Sequence, residues 1–264
     1  MEHLTRKPKT LNRNQKNAIL VTLLTLLMMV ASCTAGYAGY NIFNETQEYK
    51  QSDEAYDFVL GEASSDETKY TIDFNTLAKI NPDITGWIRM EGTPINYPVV
   101  WSAEKGDYYL KHLFTGEYNN AGCVYIDPHN KSDMSDKNTV IYGHNMRNGT
   151  MFAMLANYTN PEFYKADRKV YYLTSDGRAF MLEPFAGYVT VGSDAYVQVS
   201  FADDEDFMEY VNAKIERSTF KSEILITPED QIVTLSTCSY HANDGRFALF
   251  CKSTEIDVEQ ALVM

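Results

Sequence analysis

The sequence predicts a mostly β fold with helices, in which about eight short strands close, or nearly close, into a barrel. Two observations carry that prediction. Short runs of β-branched and aromatic residues recur from about residue 86 onward, separated by turn-rich segments. One stretch of helical period interrupts them late, and helical patterns precede them. With 264 residues, 44% hydrophobic and 22% charged, the chain suits one good-sized folded domain with extensions.

The N-terminus differs from the rest. Residues 1–44 carry Arg6, Lys7, Lys9, Arg13 and Lys16 against Glu2, while the remainder holds 18 basic and 35 acidic side chains. A body that acidic excludes phosphate-backbone binding, which rests on Lys and Arg, so nucleic acid is not an expected partner. Between Lys16 and Glu45 no charge appears, and "AILVTLLTLLMMVASCTAGYAGYNIF" (18–43) is long enough to span a bilayer as a helix. The basic flank keeps the N-terminal end in the cytoplasm and places the acidic body outside. A retained signal anchor is the preferred reading. A cleaved signal, given the small residues Ala31, Ser32 and Ala35, and lipidation at Cys33 are the alternatives. The expected organisation is a cytoplasmic basic segment (1–17), a transmembrane anchor (18–43), a helical stalk and linker (44–69) and an extracellular domain (70–264).

Along that body, residues 45–61 read as a polar helix and "EASSDETK" (62–69) as an acidic linker. "DFNTLAKINPDITGWIRM" suggests a short helix ended by Asn81-Pro82, then a strand over Gly86–Met90. Strand-like runs follow at 94–100, 122–127, 138–144, 169–174, 179–191, 196–201, 231–237 and 246–252. The helix is expected over 203–220, where Phe207, Tyr210, Val211 and Ile215 have amphipathic spacing and the first turn is acidic.

Cysteine usage points to chemistry. Outside the membrane segment there are Cys123, Cys238 and Cys251, an odd number in an exported domain. Cys123 and Cys251 sit in β-patterned apolar runs, as buried small hydrophobes do. Cys238 sits at the edge of its run, in "TLSTCSYH". A thiolate nucleophile needs a histidine or cation nearby, because the free thiol is largely protonated at neutral pH. His3 lies on the cytoplasmic flank, and His112 and His129 sit in polar, surface-like surroundings. His241 makes a lone C-x-x-H with Cys238, too little for a zinc site. His144, in "VIYGHNM", stands just past an apolar strand, either as a plain strand terminus or on a catalytic loop. Arg246 opens the run after Cys238. A strand-opening arginine is ordinarily a surface residue, but if the two runs pair antiparallel it faces Cys238 across the ladder. There it can hold a carbonyl or a developing oxyanion.

"TLSTC" followed by an arginine at a strand start, with "YGHNM" about ninety residues upstream, resembles the sortases. The resemblance covers residues 70–254 and includes the N-terminal anchor. The "INPDITGWI" and "INYPVV" stretches and the helix between late strands resemble class B. It implies a sortase-type closed eight-stranded barrel with N-terminal helices and one long helix between late strands. It also implies a membrane-anchored cysteine transpeptidase of Gram-positive bacteria that needs no cofactor or metal. Cys238 would attack the threonine carbonyl of a C-terminal sorting signal, giving a thioacyl enzyme. His144 would protonate the departing amine and deprotonate the incoming one, and Arg246 would orient the signal and support the oxyanion. Motif matching places Asn96, Val100, Tyr196 and Ser236 in the peptide groove.

The implied partners are surface proteins bearing LPxTG-like, NPQTN-like or (S/P)PxTG-like signals. The acceptor is a peptidoglycan amine or a pilin lysine. Two other functions share the sequence: an extracellular cysteine peptidase that uses water, and an anchored binding module in which Cys238 is a bystander.

Overall fold

The computed structural model describes residues 12–63, 72–239 and 244–262. Most of the expected linker, the tip of the Cys238–Arg246 connection and His241 lie outside the described residues. The chain forms two compact units, residues 1–50 and 51–264, with helix α1 (Arg13–Ala63) running through both.

In the first unit α1 presents Leu20, Leu23, Leu27, Met29, Ile42 and other large apolar side chains to the outside. Its most apolar window has mean hydropathy 2.3 with nothing buried, so by length and composition it can cross a membrane.

In the second unit the last turns of α1 bury Ser52, Tyr56, Val59 and Ala63, a stripe at helical spacing. Helix α2 (Phe74–Ile80) is capped by the Asp73 carboxylate, which accepts from the amides of Asn75 and Thr76 at 3.0 and 3.1 Å. It stops at Asn81, before Pro82, as predicted. Eight strands follow: β1 (Ile84–Met90), β2 (Asn96–Val100), β3 (Val124–Ile126), β4 (Asn138–Tyr142), β5 (Val170–Thr174), β6 (Ala179–Val191), β7 (Gln231–Ser239) and β8 (Gly245–Ile256). They close in the order β1-β2-β3-β4-β7-β8-β6-β5 and back to β1. The pairs β2–β3 and β4–β7 are parallel and the others antiparallel. Short helices α3 (Pro161–Lys165) and α5 (Val258–Leu262) flank the longer α4 (Asp204–Arg217) in sequence.

Two expectations are corrected. Tyr196–Phe201 is not a strand. The closed barrel leaves no edge for it, because β6 already pairs with β5 and β8, and β7 with β4 and β8. Side chains satisfy its backbone instead. The Tyr210 hydroxyl donates to the Tyr196 carbonyl at 2.6 Å, and Asn138 Nδ2 donates to the Gln198 carbonyl at 2.7 Å. The second correction is the buried face of α4. Phe207, Tyr210 and Val211 pack against Phe185, Tyr188 and Phe250 of β6 and β8, but the next buried position is Lys214 rather than Ile215. Ile215 is 44% exposed. A lysine can fill such a position because its stem is apolar and its ammonium lies over the Tyr210 ring, 4.1 Å from the centroid.

Candidate active site

The register of three neighbouring strands gathers the candidate residues at one end of the barrel. Strands β7 and β8 pair antiparallel with Cys238 opposite Arg246. On the other side of β7, β4 runs parallel with Tyr142 beside Ser236, and the Gly143 amide extends that ladder to the Ser236 carbonyl at 3.1 Å. Just past that last pair come His144, two residues after Tyr142 beyond β4, and Cys238, two after Ser236 on β7. Cysteine, histidine and arginine therefore come from three adjacent strands in a row.

His144 and Arg246 line a cavity of about 690 Å³ whose walls also include Tyr196, Ser236, Thr237 and Leu110. Tyr196 and Ser236 are joined there, with Tyr196 Oη 2.9 Å from Ser236 Oγ. Beside them Thr237 Oγ1 is buried and has no hydrogen-bond partner among the described residues. The other two groove candidates are placed differently. Val100 is wholly buried in the core. Asn96 accepts from the Trp87 indole at 2.7 Å and lines a separate cavity with Tyr56 and Tyr97. Cys123 and Cys251 are buried, and burial pushes both thiols far up. Neither supplies a reactive thiolate.

His144 is half-buried, and its Nε2 lies 2.6 Å from the main-chain carbonyl of Leu110. A carbonyl oxygen only accepts, so Nε2 carries the proton and Nδ1 is left as the basic nitrogen of the neutral ring. Burial lowers the pKa below the ordinary 6.5, the Leu110 bond opposes this, and Arg246 and Lys111 lower it further. The Phe152 amide donates to the His144 carbonyl at 2.8 Å, fixing the backbone from the other side. Gly143 is needed at this bend, since a Cβ there would lie 2.6 Å from the Phe152 ring.

Arg246 is steered by its own turn. Its Nη1 donates to the Gly245 carbonyl and to Asp244 Oδ1, each at 3.0 Å. Asp244 sits at φ +54, a left-handed conformation that aspartate tolerates better than most residues. Its carbonyl accepts from the Gly192 amide at 3.0 Å, and the Asp244 carboxylate lies against the open side of Gly192. Sequence reasoning missed this carboxylate as an arginine partner, although "NDG" marked the turn. It also missed Leu110, which acts through its main chain and so leaves no signal in residue type.

A cysteine, a histidine and an arginine brought to one end of a barrel are suited to acyl transfer. Residues 88–254 match the sortase domain. Sortase B of Staphylococcus aureus is 32% identical over 185 residues, covering 69% of this chain and 75% of that protein. Sortase B of Listeria monocytogenes is 37% identical over 162 residues, 61% of this chain and 65% of that protein. The solved structure of a Staphylococcus aureus sortase B–substrate complex superposes with TM-score 0.71 at 28% identity, covering 80% of this chain and 100% of that one. The chain belongs to the sortase family of cysteine transpeptidases, and its relatives are sortases B.

Proposed function

We propose that the chain cleaves a C-terminal sorting signal after its threonine and transfers the protein to an amine of the cell envelope. The register that sets Cys238 opposite Arg246, with β4 leading into His144 beside β7, is the observation that carries this reading. His144 Nδ1 takes the proton of the Cys238 thiol, the resulting thiolate attacks the threonine carbonyl, and Arg246 supports the oxyanion of the tetrahedral intermediate. The intermediate collapses with loss of the C–N bond, and the leaving amine takes a proton from His144. In the second half His144 removes a proton from the incoming amine, whose nitrogen displaces the thiolate and regenerates Cys238. The Leu110 carbonyl takes the place of the carboxylate that orients histidine in many triads. Tyr196 and Ser236, with the Thr237 hydroxyl, form the wall against which the peptide lies.

In this proposal residues 1–17 are cytoplasmic, 18–43 anchor the chain, 44–69 form the stalk and linker, and 70–264 work outside the cell. The substrates are surface proteins with LPxTG-like, NPQTN-like or (S/P)PxTG-like signals, and the acceptor is a peptidoglycan amine or a pilin lysine. The test is a transfer assay on the full chain in detergent, with a panel of such peptides and an oligoglycine or diaminopimelate-type amine. The proposal expects an amide product that Cys238→Ala and His144→Ala each abolish while the chain stays folded. Turnover retained in either variant overturns the residue assignments, and free acid as the sole product in the presence of amine overturns the transfer.

A further inference from the structure

The Leu110 carbonyl that holds His144 belongs to a segment clamped by the end of α1. The carbonyls on either side of Leu110 are both engaged by the chain just before β3. The Cys123 amide donates to Tyr109 and the Asn119 amide to Lys111, each at 2.9 Å. Between them the Leu110 carbonyl is left to His144 Nε2. Gly122 lies against this segment so closely that a Cβ would sit 2.6 Å from the Tyr109 and Leu110 carbonyl oxygens, and its φ is +55. The Gly122 carbonyl in turn accepts from the buried Tyr56 hydroxyl of α1 at 3.0 Å. One turn back, Gln51 Oε1 accepts from Asn119 Nδ2 at 3.4 Å. The Tyr56 ring is fixed by Tyr97, edge-on at 5.0 Å between centroids, and by Phe114 at 5.3 Å.

We infer that Tyr56 is a positioning residue for His144: its hydroxyl fixes Gly122, and Gly122 sets where the Leu110 carbonyl holds the imidazole. The inference rests on His144 being the acid–base of the proposed transfer. Packing alone would be served by phenylalanine, because the ring contacts do not use the oxygen. The hydroxyl is the only part of Tyr56 that reaches the Gly122 carbonyl, and a buried hydroxyl and carbonyl each need a partner. Burial also pushes the phenol far up, so it stays a neutral donor.

Tyr56→Phe in the full chain in detergent separates the link from simple packing. Two readings are taken: steady-state transfer, and the NMR titration of the His144 imidazole. The charged groups that act on this ring are Arg246 of β8 and Lys111 beside Leu110, with Glu104, Asp107, Asp127 and His129 lining the same cavity. The expected result is a kcat lower by about tenfold or more with KM unchanged, since displacement of about 1 Å at a catalytic group has effects of that order. The His144 pKa should also move further down, because the Leu110 bond that favours the protonated ring is weakened. Gly122→Ala reads the same link from the other side and should depress kcat in the same way. Tyr164→Phe, which removes a hydroxyl bonded to Ser222 at 2.9 Å, should leave kcat and the titration alone. Wild-type kcat and an unmoved titration in Tyr56→Phe overturn the inference, as does a loss of stability with kcat preserved. If the wild-type chain transfers nothing while the His144 titration still moves in Tyr56→Phe, the link stands and the catalytic reading fails.

Discussion

Arg246 and Cys238 are cross-strand partners on β8 and β7, and the guanidinium is held by Asp244, two residues before it in the same turn. That pairing sets a permanent positive charge opposite Cys238, the proposed nucleophile. An arginine free to swing would not offer its donors to a developing oxyanion without reorganising.

Arg246→Ala should lower kcat/KM by about 10²–10³, the usual loss when one oxyanion donor is removed. Arg246→Lys should recover little, since an ammonium lacks the planar fork that bonds two acceptors at once. Circular dichroism and kinetics on both variants check this. Full activity in Arg246→Lys would show that charge alone is needed.

His144 has its pKa lowered by burial first, with Arg246 and Lys111 adding to the effect. Removing the Lys111 charge should therefore raise it, and NMR titration of Lys111→Gln should show the midpoint moving up toward 6.5. The sign for stability follows from the same direction. A histidine with a depressed folded-state pKa favours the fold fully above the unfolded value of 6.5 and ceases to do so as pH falls through the folded value. His144→Asn should thus lose less stability than wild type across that acidic window in urea titrations. Equal losses would mean the imidazole titrates as if solvated.

The Tyr196–Ser236 bond is buried, so removing either hydroxyl takes a partner away from the other. Ser236→Ala and Tyr196→Phe should each cost about 1–3 kcal/mol of stability. The double variant should be less destabilised than the sum of the two, which is the mark of a direct interaction. Additive losses in denaturant melts would contradict the bond.

Gly143→Ala places a methyl group 2.6 Å from the Phe152 ring. Overpacking of this kind costs about 1–3 kcal/mol, and the strain falls beside His144. Transfer should drop together with Tm. Unchanged activity would mean that the loop absorbs the methyl group without moving the imidazole.

Much of this was legible in the sequence, for physical reasons. The short turn between the Cys238 and Arg246 runs suggested a hairpin, and if the two runs paired antiparallel Cys238 would face Arg246, as the register shows. His144 stood just past an apolar strand, where a plain strand terminus reads the same, and only the family resemblance singled it out. Tyr196–Phe201 misled, since its apolar alternation looks like a strand but serves burial beneath α4 in a barrel with no free edge. Ile215 misled because Lys214 can snorkel, and spacing rules assign lysine to solvent. Asn96 and Val100 were carried over by motif, and a motif does not say which face of a strand meets the cavity. The Leu110 carbonyl was invisible in principle, because every residue but its neighbours' geometry offers the same oxygen.

The most direct test is intact-mass spectrometry of the full chain in detergent after incubation with each candidate sorting peptide. The account predicts a thioacyl adduct on Cys238 with one class of peptide, absent in Cys238→Ala and discharged when an amine is added. No adduct with any peptide, on a chain whose Cys238 alkylates readily, would contradict it.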